Sequence, residues 1–105
     1  MAAVGNIFAD IAQIGGDEQF STLLENSALK IERIESHFHS SPEGFWYDQA
    51  EDEWVMILRG EATLEFADGA ALQLKEGDYL MIPRRKKHRV CRTGATTVWL
   101  VIHIK

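Results

Sequence analysis

Four histidines, a run of acids and a run of bases are the residues of this 105-residue chain whose types and spacing could do chemistry. His37 and His39 stand at i and i+2. On an extended strand that spacing puts both imidazoles on one face, a bidentate claw for a transition metal. Asp48, Glu51, Asp52 and Glu53 crowd one short segment. Converging, they would give a hard cation the carboxylate oxygens it prefers; solvated, they would be an acidic turn between two strands. Residues 84–92 hold six of the eleven Lys and Arg, with His88 among them and no acid. If His88 faces inward, Lys87 and Arg89 face outward. The run then reads as a charged turn that keeps a sheet edge soluble, or as an anion-binding rim. His103 lies in the last strand. No nucleophile elbow, P-loop or dinucleotide fingerprint occurs.

The elements that must position these residues are mostly short strands. Gly15 and Gly16 close an N-terminal arm, and Asp17 looks like an N-cap. Phe20, Leu23 and Leu24 fall at i, i+3 and i+4, which predicts a helix of two to three turns stopped by Asn26 and Ser27. From Ala28 onward the pattern is that of strands and tight turns. Strands are predicted at 29–36, 53–59, 62–67, 71–75, 79–82, 88–92 and 97–104, with Asp68-Gly69 as a hairpin signal. The last two are expected to pair across the turn at Thr93–Thr96. The strand from 53 to 59 is apolar on both faces, Val55 and Ile57 on one and Trp54, Met56 and Leu58 on the other. Such a strand must be covered on both, so a homodimer is expected.

Composition bounds the class. A chain of 11.9 kDa, 46% hydrophobic and 26% charged, is expected to form one globular domain. A single cysteine, Cys91, rules out an internal disulfide, and no basic residue precedes Lys30. Those features predict a cytoplasmic protein without a signal peptide or membrane span. Cys91 lies three residues from His88, hence on the opposite strand face, and reads as structural. The net charge is −5, but outside residues 84–92 five bases face sixteen acids. Most of such a surface repels phosphate, so no nucleic-acid partner is expected.

Two motifs carry a resemblance. Gly77, five residues, Pro83 and then His88 resemble the second motif of the cupin superfamily. Glu53, six residues and Gly60 resemble the end of the first. The likeness spans about residues 30–104, and the segment from Ser41 to Val55 is similar to that of small single-domain bacterial cupins of unestablished function. The resemblance implies an all-β jelly roll, or double-stranded β-helix, to which the arm and short helix of residues 1–27 are added. Cupins that bind metal use two histidines and a glutamate of the first motif and the histidine of the second. Here Tyr47 and Gln49 occupy the two histidine positions if three residues precede Glu53, and Trp46 and Asp48 if four do. Arg85 replaces a motif glycine and Arg92 an asparagine.

What carries over is Glu53 and His88, two ligands of four; with Gln49 or Asp48 they would form a degenerate, oxygen-rich set for a divalent transition metal (Fe, Ni, Zn or Mn), weaker than a three-histidine site. His37 or His39 could restore nitrogen donors if their strand aims them inward. Without metal, His88 is the natural general base and Tyr47 the acid opposite it. Trp46, Tyr47, Trp54 and Trp99 supply rigid aromatic surface for a ligand, and Arg33 or Arg92 could pair a carboxylate. Two functions follow as expectations: a barrel acting on a small polar molecule in its mouth, or a metal-free module that binds such a molecule without transforming it.

Overall fold

A computed structural model describes residues 3–11 and 16–105, and Gly15 of the arm lies outside the described residues. Eight strands follow one another: β1 (Gln19–Glu25), β2 (Leu29–Ser36), β3 (Asp52–Arg59), β4 (Glu61–Phe66), β5 (Ala71–Lys75), β6 (Tyr79–Ile82), β7 (His88–Thr93) and β8 (Thr97–Ile104). They form two antiparallel sheets, one ordered β1-β2-β8-β3-β6 and one ordered β5-β4-β7. None of the described residues is helical, so no helix is long and apolar enough to cross a membrane.

The helix expected over 17–27 is instead the edge strand β1. Phe20 pairs Ile34 and Thr22 pairs Glu32, then a bulge shifts the register so that Leu24 meets Ile31. The bulge turns Leu24 to the face opposite Phe20, and Phe20, Leu23 and Leu24 stay largely exposed along this sheet edge, so the helical spacing marks no core-facing stripe. Long-range pairing with β2 overrides a weak local propensity. Asn26 still ends the element: its side-chain carbonyl accepts from the amides of Ala28 and Leu29.

Strands β7 and β8 do not pair, contrary to expectation. β7 lies beside β4 and β8 lies between β2 and β3, so the turn at 93–96 carries the chain from one sheet to the other. Gly60 makes the matching corner between β3 and β4. Its φ is +84°, and a Cβ there would lie 2.3 Å from the Thr96 carbonyl oxygen, so only glycine fits.

Val55, Ile57, Ala62, Leu64, Phe66, Leu74, Ile82, Trp99 and Val101 fill the space between the sheets. On β2 the inward and outward faces are both buried. Outward, Arg33 ion-pairs Glu35 at 3.1 Å and donates from Nη1 to the carbonyls of Ile7 and Ala9, which draws the N-terminal arm across that face. Phe8 of the arm lies against the Arg59 guanidinium, 4.8 Å from ring centroid to carbon.

Candidate functional site

One end of the barrel is polar. The N-terminal halves of β2 and β3, the start of β7 and the end of β8 meet there, so side chains distant in sequence share one cross-strand row. Lys30 of β2 is opposite His103 of β8, and His103 is opposite Glu53 of β3. Glu32 lies one inward position further along β2. His103 Nε2 is 3.0 Å from Glu32 Oε1, and its Nδ1 is 3.6 Å from Glu53 Oε2. The imidazole thus stands between two buried carboxylates.

The facing wall comes from β7 and from the segment leading into β3. Ser41 and Tyr47 run along β7 as a partial extra strand. The Ser41 amide donates to the Val90 carbonyl, and Tyr47 and His88 exchange both backbone hydrogen bonds at 2.7 and 3.1 Å. This register stacks the Tyr47 ring on His88, with centroids 5.4 Å apart and planes 26° from parallel. His88 Nδ1 lies 2.9 Å from the Lys86 carbonyl oxygen. A carbonyl only accepts, so Nδ1 carries the proton and Nε2 is the basic nitrogen of the neutral ring. Among the described residues Nε2 has no hydrogen-bond partner, although the side chain is 96% buried.

Between these walls lies a cavity of about 220 Å³. That is below the roughly 300–1,000 Å³ of sites for drug-sized ligands, and it suits a small molecule. Its polar lining includes Glu32, Glu53, His103, His88, Tyr47 and Gln49, over an apolar floor that includes Val55, Leu64 and Trp99. The Trp99 indole N–H donates to Ser36 Oγ, and Ser36 Oγ in turn donates to Glu18, which fixes the floor and one rim. Burial pushes the Glu53 carboxyl above the usual range. Neighbouring His103 and His88 pull it down, Glu32 pushes it up, a hydrogen bond from Gln49 pulls it down, and burial prevails. Burial, aided by Glu18 and Glu53, also raises Tyr47, which keeps its phenolic proton over a wider pH range.

Five of the residues picked out in the sequence meet here: His88, Tyr47, Glu53, Gln49 and Trp99. Tyr47 and Gln49 are the pair on the cavity and Asp48 is not, so the spacing with three residues before Glu53 is the one the fold uses. Trp46 is half-buried outside the cavity wall. Arg33 faces away, because β2 alternates and Glu32 takes the inward direction. His37 and His39 form no claw. β2 ends at Ser36, and Phe38 between them has a φ of +59°. His37 Nδ1 turns to the Ala95 carbonyl, and His39 Nδ1 accepts the His37 amide. The acids diverge as well: Asp52 accepts from the Arg84 amide and Asp48 pairs Arg85, while Glu53 alone of the four lines the cavity. Cys91 faces outward, against Glu65 and Arg89.

Four of the six bases in the run pair acids outside the barrel. Arg84 pairs Asp52, Arg85 pairs Asp48, Lys86 pairs Asp68 and Arg92 pairs Glu61. Arg85, standing at the motif glycine, has the left-handed φ of +65° that glycine would adopt freely. It donates its amide to the Gln49 carbonyl at 2.8 Å, which ties the turn before β7 to the segment that carries Tyr47.

Glu32, Glu18 and His103 were not foreseen as site residues. His103 had a signal: Thr97, Trp99, Val101 and His103 alternate, so it shares the face of Trp99. Its carboxylate partners depend on the β2·β8·β3 register, which no local pattern reveals.

The metal set implied by the cupin resemblance is His88, Glu53 and Gln49. His88 offers a free Nε2, but the Glu53 carboxylate is engaged by Gln49 and flanked by His103. Among the described residues no three His, Cys, Asp or Glu side chains are grouped to hold a metal ion. This donor set does not fit a resident transition metal.

Comparison with known proteins places the fold. A protein from Ralstonia eutropha JMP134, named a putative mannose-6-phosphate isomerase, is 45% identical with a TM-score of 0.93, covering 99% of each chain. An RmlC-like cupin family protein with a double-stranded β-helix fold from Methanocaldococcus jannaschii is 18% identical (TM-score 0.76, covering 99% of this chain and 92% of that one). A cupin-2 domain containing protein from Shewanella frigidimarina is 16% identical (TM-score 0.77, covering 97% and 95%). No curated protein sequence matches significantly. The model of the cupin domain family matches residues 31–103, and the chain belongs to that family.

Proposed function

We propose that the barrel moves a proton on a small hydroxycarbonyl compound without a metal, with His88 as base and Tyr47 as acid. The observation that carries this reading is the tautomer of His88. Its Nδ1–H is committed to the Lys86 carbonyl, which leaves an unshared basic nitrogen at a cavity whose opposite groups are acids. Tyr47, stacked on the same ring and held protonated by burial, supplies a donor for the carbonyl oxygen. A base that removes a proton from carbon beside a polarised carbonyl is what aldose–ketose isomerisation requires. The name of the 45%-identical Ralstonia protein points to the same reaction class.

The test is exchange in deuterated water. Small hydroxyaldehydes and hydroxyketones are incubated with the protein, and loss of the carbon-bound proton beside the carbonyl is followed by NMR. Wild type is expected to exchange, and His88→Gln to be slower by roughly 10²-fold or more. No exchange with any compound would sink the catalytic reading and leave a binding module.

We also propose that a second copy of the chain covers the outer face of the larger sheet. The arm covers the Arg33 end of that face. Trp54 against Tyr79, with Met81 and Ile104, is left apolar and partly exposed at the other end. Sedimentation is expected to give a dimer for wild type and a monomer for Met81→Glu.

A further inference from the structure

We infer that the ligand of the barrel cavity carries a positive charge, a small ammonium group set against Glu53 and Glu32, and that phosphorylated or carboxylate compounds are rejected. This deepens the reading above and rests on it: the hydroxycarbonyl compound would be an amino one, and from the name of the Ralstonia protein only the isomerase reaction class, not the phosphorylated substrate, is carried over. Among the described residues the charged and titratable groups on the cavity wall are Glu18, Glu32, Tyr47, Glu53, His88 and His103, with no Lys or Arg among them. The bases of the run at 84–92 lie outside the cavity lining. Arg84, Arg85, Lys86 and Arg92 pair acids outside the barrel, and Arg89 donates to the Ser41 carbonyl. Lys30 approaches Glu32 to 3.6 Å at the rim, with its side chain one-third exposed and outside the cavity lining. An anion entering this space would meet three carboxylates in a poorly screened interior.

A neutral polyol would satisfy hydrogen bonds yet leave the carboxylate charge as it stands. An ammonium group compensates that charge and donates to both glutamates through charge-assisted bonds. Phe20, Tyr47 and Trp99 add aromatic wall of the kind that favours a cation. The acids do not stand alone as a feature. His88 lines the same enclosed space, 96% buried, with a nitrogen that no protein group engages, so the cavity is shaped for a ligand on that side as well.

The test titrates the full-length chain with ethylammonium and, separately, inorganic phosphate, each at millimolar concentration with EDTA present so that no metal ion is read. The observables are the NMR shifts of the His88 and His103 ring protons. Ethylammonium is expected to move both saturably, and phosphate at matched ionic strength to move neither. Glu53→Gln is expected to weaken the ethylammonium response about tenfold or more. Glu32→Gln, which keeps the shape of a second glutamate, is expected to weaken it too, so the test survives if one variant fails to fold. A saturable shift with phosphate, or none with ethylammonium, overturns the charge assignment. Ethylammonium binding without proton exchange on any hydroxycarbonyl compound would keep the charge assignment and sink the catalytic reading. Exchange that favours a phosphorylated compound over its amino counterpart would do the reverse.

Discussion

Strand β2 buries charge on both of its faces, and the two faces treat it differently. Outward, the Arg33–Glu35 pair is only 10% and 5% exposed and is covered by the arm, whose carbonyls take two further hydrogen bonds from the guanidinium. Inward, Glu32 is just as buried but opens with His103 and Glu53 onto a cavity. The outer charges pair each other and hold the arm, although they too border a cavity and Arg33 Nε is buried without a hydrogen-bond partner. The inner carboxylates outnumber their cationic partners. An ion pair that the fold closes with its own countercharge reads as structure, and carboxylates in excess of their cations beside a cavity read as function.

Breaking the outer pair is the harshest test of that difference. Arg33→Ala removes the buried countercharge of Glu35 and two anchors of the arm. It is expected to cost about 3–5 kcal/mol in denaturant unfolding while leaving the His88 and His103 shift responses intact in the protein that remains folded. A loss below about 1 kcal/mol would mean that the arm does not depend on this pair. His88→Gln is the reverse case. Proton exchange is expected to fall by roughly 10²-fold or more, with denaturant stability within about 1 kcal/mol of wild type.

Glu53→Gln sharpens the contrast through pH. The folded carboxyl titrates above its unfolded value, so between the two values the folded state holds the proton that the unfolded state has released. Stability therefore falls as pH rises through that window, and the full cost is present at neutral pH. Glu53→Gln is expected to remove this decline and to stabilise the neutral protein by up to about 1 kcal/mol, while losing ligand binding. A steeper decline in the variant would show that His103 and His88 more than compensate the buried charge. The smallest effect is expected at Arg85→Gly. It exchanges a side chain held at positive φ and a 3.5 Å surface pair for the glycine of the family motif. A gain of about 0.5–1 kcal/mol is expected from chemical denaturation.

Much of the fold could be read along the chain, because alternation and turn chemistry are local. The strands from β2 to β8 fall close to their expected bounds, and Asp68-Gly69 closes a hairpin through the Phe66 amide and the Ala70 carbonyl. Two elements were misread for one reason. The β1 segment has helical spacing, yet its long-range pairing with β2 makes it a strand, and β7 and β8 adjoin in sequence yet belong to different sheets.

Within the site, the residues on motif positions, Glu53 and His88, were legible with Tyr47, Gln49 and Trp99. The paired spacing of His37 and His39 misled, since a positive φ between them breaks the strand geometry that the pairing assumed. By itself the sequence determined the all-β class, the family and five residues of the cavity wall, all of which rest on periods of two and on motifs that span a few residues. Only the tertiary structure decided that His103 stands between Glu32 and Glu53, that Arg33 points away, and that the basic run spends its charge outside. Those facts depend on antiparallel register between strands about fifty to seventy residues apart, where a shift of one position turns every side chain to the opposite face.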